Sequence, residues 1–291
     1  MISIIEFDWK DFFIRLYKKA DESDVFNRTA QAAFYFSFAL FPLIFFLVSF
    51  LGLILESTDA LKGELFEYLQ QIMPASVFVL VRNTVEDVAA SSSSGKLTLG
   101  LVATLWSASS GVDAIRGSLN SIYGLRERRS WFLTKAHSIG LTLVLTILAA
   151  IGLTIVFYGW QLIQFSSVWI GIPITSTLIL VGIQWISILI VMLFACEIIY
   201  NFLPDFREVR WIWITYGSIV AITLWLILTG GFRLYLHYFN NYDKTYGSLG
   251  AVIILMLWLY LTALVLMIGG AINAVLREFD DKADSPLSDE V

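Results

Sequence analysis

The sequence predicts an all-α, polytopic membrane protein, and three observations carry that reading. Of 291 residues, 58% are hydrophobic and only 15% charged, whereas soluble domains carry roughly 25% charged residues. The mean hydropathy is +0.76. The apolar residues also gather into runs that approach or exceed the roughly 20 residues a helix needs to cross the hydrocarbon.

The elements follow in order. The first 28 residues mix charge with aromatics and show no apolar core or small-residue cleavage site of a signal peptide. Ile5, Trp9, Phe12, Phe13 and Leu16 fall near one helical face, with Arg15, Lys18 and Lys19 close by. That pattern suits a helix lying in the membrane interface, or equally one packed on the protein's own cytoplasmic side. Thr29 to Leu55 is the first span, with Pro42 placed to kink it.

Glu56 to Lys96 is the long outer loop. Leu61, Leu65, Phe66 and Leu69, then Val77, Leu80, Val81, Val85 and Val88 after Pro74, have helical spacing, so two short amphipathic helices are expected there. "SSSSG" (Ser91–Gly95) reads as a linker.

The second span starts at Leu97. Its uncharged part ends at Val112, too short unless the helix continues past Asp113. Ile139 to Tyr200 is an apolar run interrupted only by the charge of Glu197, and "SSVWIGIPITS" (Ser166–Ser176) divides it into two spans. Ile212 to Phe232 and Leu249 to Leu276 bring the total to six. The domain plan is a cytoplasmic segment 1–28, a six-helix membrane domain 29–276 with outer loop 56–96, and an acidic cytoplasmic tail 277–291, disordered from Asp280.

Orientation follows from the basic residues. With the N-terminus inside, only Lys62, Arg82, Lys96, Arg233 and Lys244 of the 19 lie outside. Positive charge stays cytoplasmic, so both termini are expected there.

On the second span, Ser109, Asp113, Arg116 and Asn120 share one helical face, and Ala103, Ser107, Gly111, Ala114 and Ser118 form a small-residue strip roughly opposite. Asp113 and Arg116 are spaced to pair. Gln31 and Tyr35 early in the first span, Glu197 late in the fourth and Asn273 late in the sixth add polar groups toward the same side. Ionisable groups inside spans mark candidate pathways, while polar helix ends and snorkelling side chains give a structural alternative. The candidate transport pathway is therefore Gln31, Ser109, Asp113, Arg116, Asn120, Glu197 and Asn273, lining a wet cytoplasmic vestibule. Arg233 and His237 read either as an outer gate or as interfacial residues. Gln184, inside the fourth span, is expected to bond to a neighbouring helix.

Other chemistries lack their residues. Cys196 is the single cysteine, so no intrachain disulfide or CxxC site exists. His137 and His237 are the two histidines, little material for a metal centre. Neither a nucleophile elbow nor a phosphate loop is present. No catalytic residue, metal or cofactor is assigned, and no nucleic-acid partner.

"AAFYFSFALFPLIFFLVSFLG", "LWSASSGVDAIRGSLNSIYG", "YNFLPD" and above all "YGSLGAVIILMLWLYLTALVLMIGGAIN" resemble the YihY/BrkB family of bacterial inner-membrane proteins. The resemblance covers about residues 25 to 276. It implies six membrane helices and a location in the bacterial inner (plasma) membrane. It also carries an old ribonuclease BN label regarded as a misassignment, and links of some members to serum resistance and to export of lipid A precursors. This chain departs from the family in "GGAIN" (Gly269–Asn273), where Ala271 stands in place of a frequent glutamate. The expected function is a transporter or flippase-like exporter of a lipid or amphiphile. An envelope scaffold using the outer loop is the alternative, and a membrane enzyme ranks third. Membrane lipids are the expected surroundings.

Overall fold

A computed structural model of the protein describes residues 8–37, 63, 66–67, 82, 94–170, 176–206, 212–238 and 248–284. Among them the chain is helical, with no strand. The helices are α1 (Trp9–Glu22), α2 (residues 25–37), α3 (Ser94–Ile122), α4 (Trp131–Ile170), α5 (Thr177–Phe202), α6 (Tyr216–Tyr238) and α7 (Ser248–Asp284). Four contain segments long and apolar enough to cross a membrane: Trp131–Ser167, Thr177–Phe202, Tyr216–Leu236 and Val252–Phe279. Their outward faces stay apolar and exposed, as at Leu178, Trp185, Ile186 and Ile190 of α5. A soluble surface does not sustain such a face.

Local chemistry sets the helix limits. Asp8 caps α1 by accepting from the Lys10 and Asp11 N–H groups. Asp24, at φ +52°, turns the chain from α1 into α2. Gly124, at φ +66°, ends α3, and the Leu125 N–H returns to the Asn120 carbonyl at 2.7 Å. As expected, α3 is one unbroken helix through Asp113 and Arg116. It already includes Ser94 and Gly95 of the expected linker.

Packing joins α3 to α4, α4 to α5, α5 to α6, and α7 to α1, α3 and α6. The core gathers Val112, Ile115, Leu119, Ile122, Leu141, Ile199, Tyr200, Leu203 and Met267. Between α4 and α5, Gln184 Nε2 donates to the Ile155 and Val156 carbonyls at 3.0 and 2.9 Å, opposite Gly159. This is the interhelical bond expected of a membrane-buried amide.

Other limits also differ from expectation: α4 starts at Trp131, before Ile139, and runs to Ile170, inside the expected Ser166–Ser176 turn. The fifth expected span starts at Tyr216, not Ile212, and helix continues to Tyr238. Hydropathy runs through Ile212–Trp213–Ile214, but Thr215 blocks earlier helix. Its Oγ1 accepts the Ser218 N–H at 3.2 Å, and its own N–H goes to Glu197 rather than to a preceding turn. The last helix runs on to Asp284, into the stretch expected to be disordered from Asp280. Just before that stretch α1 braces the helix: Phe12 packs with Ile272 and Val275, Lys19 pairs with Glu278, and Arg15 sits over the Phe279 ring. Pro42 lies outside the described residues, as does most of the outer loop.

Candidate functional site

Two polar assemblies lie at the helix ends, one joining α5, α6 and α7, the other joining α3, α4 and the loops that follow α3 and α5. The first surrounds Glu197, which has no exposed surface. Its Oε1 accepts from the Thr215 N–H (2.7 Å), Thr215 Oγ1 (3.1 Å) and Ser218 Oγ (2.5 Å), and its Oε2 from Asn201 Nδ2 (3.1 Å). Asn273 of α7 completes the set. Its Oδ1 accepts the Gly217 N–H at 2.8 Å, and its Nδ2 donates to Thr215 Oγ1 at 3.0 Å. Helix starts leave N–H groups without intrahelical partners. Here Glu197 of α5 takes the Thr215 N–H and Asn273 of α7 the Gly217 N–H, while Thr215 Oγ1 takes that of Ser218. A carboxylate also complements the positive end of the helix dipole.

This arrangement needs close backbones. A Cβ on Gly217 would stand 2.1 Å from the Gly269 carbonyl oxygen, and one on Gly269 would stand 2.3 Å from Tyr200 Oη. Leu119 Cδ2 lies 2.5 Å from where a Cβ on Gly270 would sit. Ala271 is buried in the apolar core beside them.

The second assembly is ionic. Asp113 accepts from Lys135 Nζ at 2.9 Å and from Ser138 Oγ at 2.5 Å, both on α4, while Arg116 Nη2 lies 3.2 Å from it. Lys135 also stands over the Trp106 ring, 4.8 Å from its centroid. Arg116 Nη1 reaches within 3.4 Å of Glu127, which accepts from Asn120 Nδ2 and from Arg129 Nε. Asn120 Oδ1 accepts the Asp205 N–H at 2.9 Å, and Asp205 in turn takes the N–H and Nε of Arg128. Four cations (Arg116, Arg128, Arg129, Lys135) thus surround three carboxylates.

The loop carboxylates respond to these neighbours. Desolvation pushes Glu127 upward, but hydrogen bonds and charge from Arg129, with Arg116 behind, hold it below the usual carboxylate range. Desolvation likewise opposes, and the Arg128 N–H and guanidinium outweigh, at Asp205, which is also held low. Burial pushes the Tyr123 phenol up to about 12, against the lowering effect of Arg277. The Arg277 guanidinium lies over the Tyr123 and Phe206 rings, tying together the ends of α3, α5 and α7.

The structure therefore sorts the sequence-derived candidates. Asp113, Arg116 and Asn120 join the ionic assembly. On that face Ser109 is buried and returns its hydroxyl to the Trp106 carbonyl, and Asn120 is buried too, while Asp113 and Arg116 between them are partly exposed. Glu197 and Asn273 meet each other around Thr215. Gln31 and Tyr35 are exposed on α2, apart from both assemblies. Arg233 is exposed on α6, and the His237 side chain lies outside the described residues. Sequence reasoning missed Lys135, Glu127, Arg129, Thr215 and Ser218. Asp205 had a signal in "YNFLPD", the motif that ends α5. Among the described residues no three His, Cys, Asp or Glu side chains assemble as a metal site.

Comparison with known proteins covers nearly the whole chain. The family model described as virulence factor BrkB matches residues 16–290. A ribonuclease-like protein, YfkH of Bacillus subtilis (strain 168), is 30% identical over 252 residues, 87% of this chain and 90% of that relative. A UPF0761 membrane protein of Idiomarina loihiensis is 27% identical over 182 residues, covering 61% of this chain and 60% of its own. One of Xanthomonas campestris pv. campestris (strain B100) is 27% identical over 270 residues, 91% of this chain. The chain spans 60% of the length of these two UPF0761 relatives. No solved structure matches.

Proposed function

We infer, from the premise that the chain belongs to the virulence factor BrkB family of membrane proteins, that it is a transporter or flippase-like exporter of a lipid or other amphiphile in the bacterial inner membrane. In this reading six helices span the bilayer with both termini cytoplasmic, and the chain is a carrier with no cofactor. The ribonuclease-like name belongs to the relative YfkH.

The observation that carries the reading is the half-buried ionic assembly beside membrane-crossing helices. Charges kept in such places are costly and mark substrate or ion pathways by default. Glu197 and Asn273 have their bonding satisfied in capping α6. Arg116 does not: its buried Nε and Nη1 make no hydrogen bond, although Nη1 stays within ion-pair range of Glu127. Buried donors left without acceptors are exceptions that call for an explanation. A polar headgroup entering between α3, the 123–130 loop and α4 would supply those acceptors while its chains follow the apolar outer faces.

Purified protein in liposomes, with a fluorescent phospholipid initially in one leaflet, tests this. Leaflet exchange should rise well above that of protein-free liposomes and fall in Arg116→Ala. Folded protein that exchanges no lipid would sink the transport reading and leave the scaffold.

A further inference from the structure

α1 carries three distinct flanks. Phe12 and Leu16 pack on α7, where Lys19 pairs with Glu278. On the flank opposite Arg15, the side chains of Phe13, Ile14 and Tyr17 are exposed by 60%, 56% and 75%. A third flank holds the Arg15–Asp11 pair, half-buried beside Phe279, and the exposed Lys18–Glu22 pair. A helix standing only in water gains nothing from that second flank, and a helix buried in the protein would cover it.

The position of that flank in the bundle bears on what could cover it. Arg277 ties the end of α7 to Tyr123 and Phe206, so the ends of α3, α5 and α7 share one end of the bundle with α1. Arg129, whose Nη2 donates to the Leu203 carbonyl, brings the start of α4 to the same end. Trp131 and Phe132, the first residues of α4, are exposed there, and so is Tyr216 at the start of α6. Aromatic side chains presented outward by separate elements at one end of membrane-crossing helices mark the headgroup level. α2, which follows α1 after the turn at Asp24, continues outward-facing aromatics at Phe26 and Tyr35.

We propose that α1 is an interfacial helix that lies in the headgroup–acyl boundary of the leaflet at the C-terminal end of α7, with Phe13, Ile14 and Tyr17 in lipid, and so fastens that end of α7 to the membrane surface. The occupant of the exposed flank is the bilayer. The contact is driven by apolar burial, with the exposed Lys10 and Asp21, which helical spacing puts on the same side, reaching to headgroup level.

Single cysteines at Phe13, Tyr17 and Lys18, each in a Cys196→Ala background and labelled with an environment-sensitive fluorophore in liposomes, test the proposal. A Phe12→Cys/Val275→Cys pair, oxidised in the same liposomes, reports whether α1 is docked. Labels at 13 and 17 should be blue-shifted and quenched by lipids spin-labelled near the headgroup, the label at 18 should show neither, and the 12–275 crosslink should form. Three labels with the same aqueous emission beside an intact crosslink would overturn the proposal. So would disulfide-linked dimers through position 13 or 17, which would put a second copy on that flank. Failure of the crosslink would overturn the docking itself.

Discussion

Glu197 holds a carboxylate with no exposed surface because donors from Thr215, Ser218 and Asn201 converge on it. Each buried donor that loses its acceptor costs about 1–3 kcal/mol. Asn201 Nδ2 and Ser218 Oγ keep backbone acceptors, so Glu197→Leu strands the Thr215 N–H and hydroxyl and is expected to lower stability by about 2 kcal/mol or more, and Glu197→Gln by less, read as thermal unfolding in detergent. A Leu variant as stable as the parent would refute the capping role. Asp205 gives a pH signature. Its folded carboxyl is held below the ordinary value of about 4, so its stabilisation is present above that value. It is lost as pH falls through the lower folded value. Asp205→Asn should melt earlier at pH 7 and lose less on acidification from about pH 5 downward. An acid slope unchanged in the variant would remove Asp205 from that account. At this scale the sequence shows the i, i+3 spacing of Asp113 and Arg116 directly. Lys135, the nearer partner of Asp113, is 22 positions away and invisible to helical periodicity.

Glycine decides how closely α6 and α7 meet. Gly269→Ala places a methyl 2.7 Å from the Gly217 carbonyl oxygen and 2.9 Å from Ala221 Cβ, as well as against Tyr200. Overpacking of this kind costs about 1–3 kcal/mol. Gly182→Ala in α5 meets nothing within 4 Å and should be neutral or stabilising by up to about 1 kcal/mol through helix propensity. Unfolding of the two variants side by side checks the contrast, and equal effects would deny the close crossing. The existence of the long helices and the break after α4 were legible because apolar runs and Gly/Pro punctuation are local. The start of α6 was not. Ile212, Trp213 and Ile214 are as hydrophobic as any span, and it is the distant Glu197 that stops helix from including them.

At the scale of the whole molecule, the bias of basic residues predicts an orientation that a reporter can check. A reporter fused after Arg129 is expected to be cytoplasmic, and one inserted at Ser93 to be outside. A cytoplasmic signal at Ser93 would reduce the span count below six. Composition and run length carry the membrane assignment by themselves, since an apolar exterior needs no tertiary information to be read. Which polar groups cap a helix and which form the ionic assembly depends on contacts between segments far apart in the chain. Glu197 and Arg116 look alike on paper, as ionisable residues near the ends of spans. Only the assembled helices separate the satisfied group from the one with donors to spare.

The α6 start is completed by Asn273, an atom set made 56 residues after the Gly217 N–H it receives. A ribosome that has delivered α6 to the membrane has therefore not yet delivered what finishes it. Until α7 enters, the Gly217 N–H lacks its Asn273 acceptor and the face of α6 at Gly217 lacks its neighbour Gly269, and a chain halted there is expected to be degraded sooner. Release after Ile268 should then give a short half-life in pulse-chase labelling, while release after Asp284 should give that of the full chain. Equal lifetimes would mean that α6 completes itself.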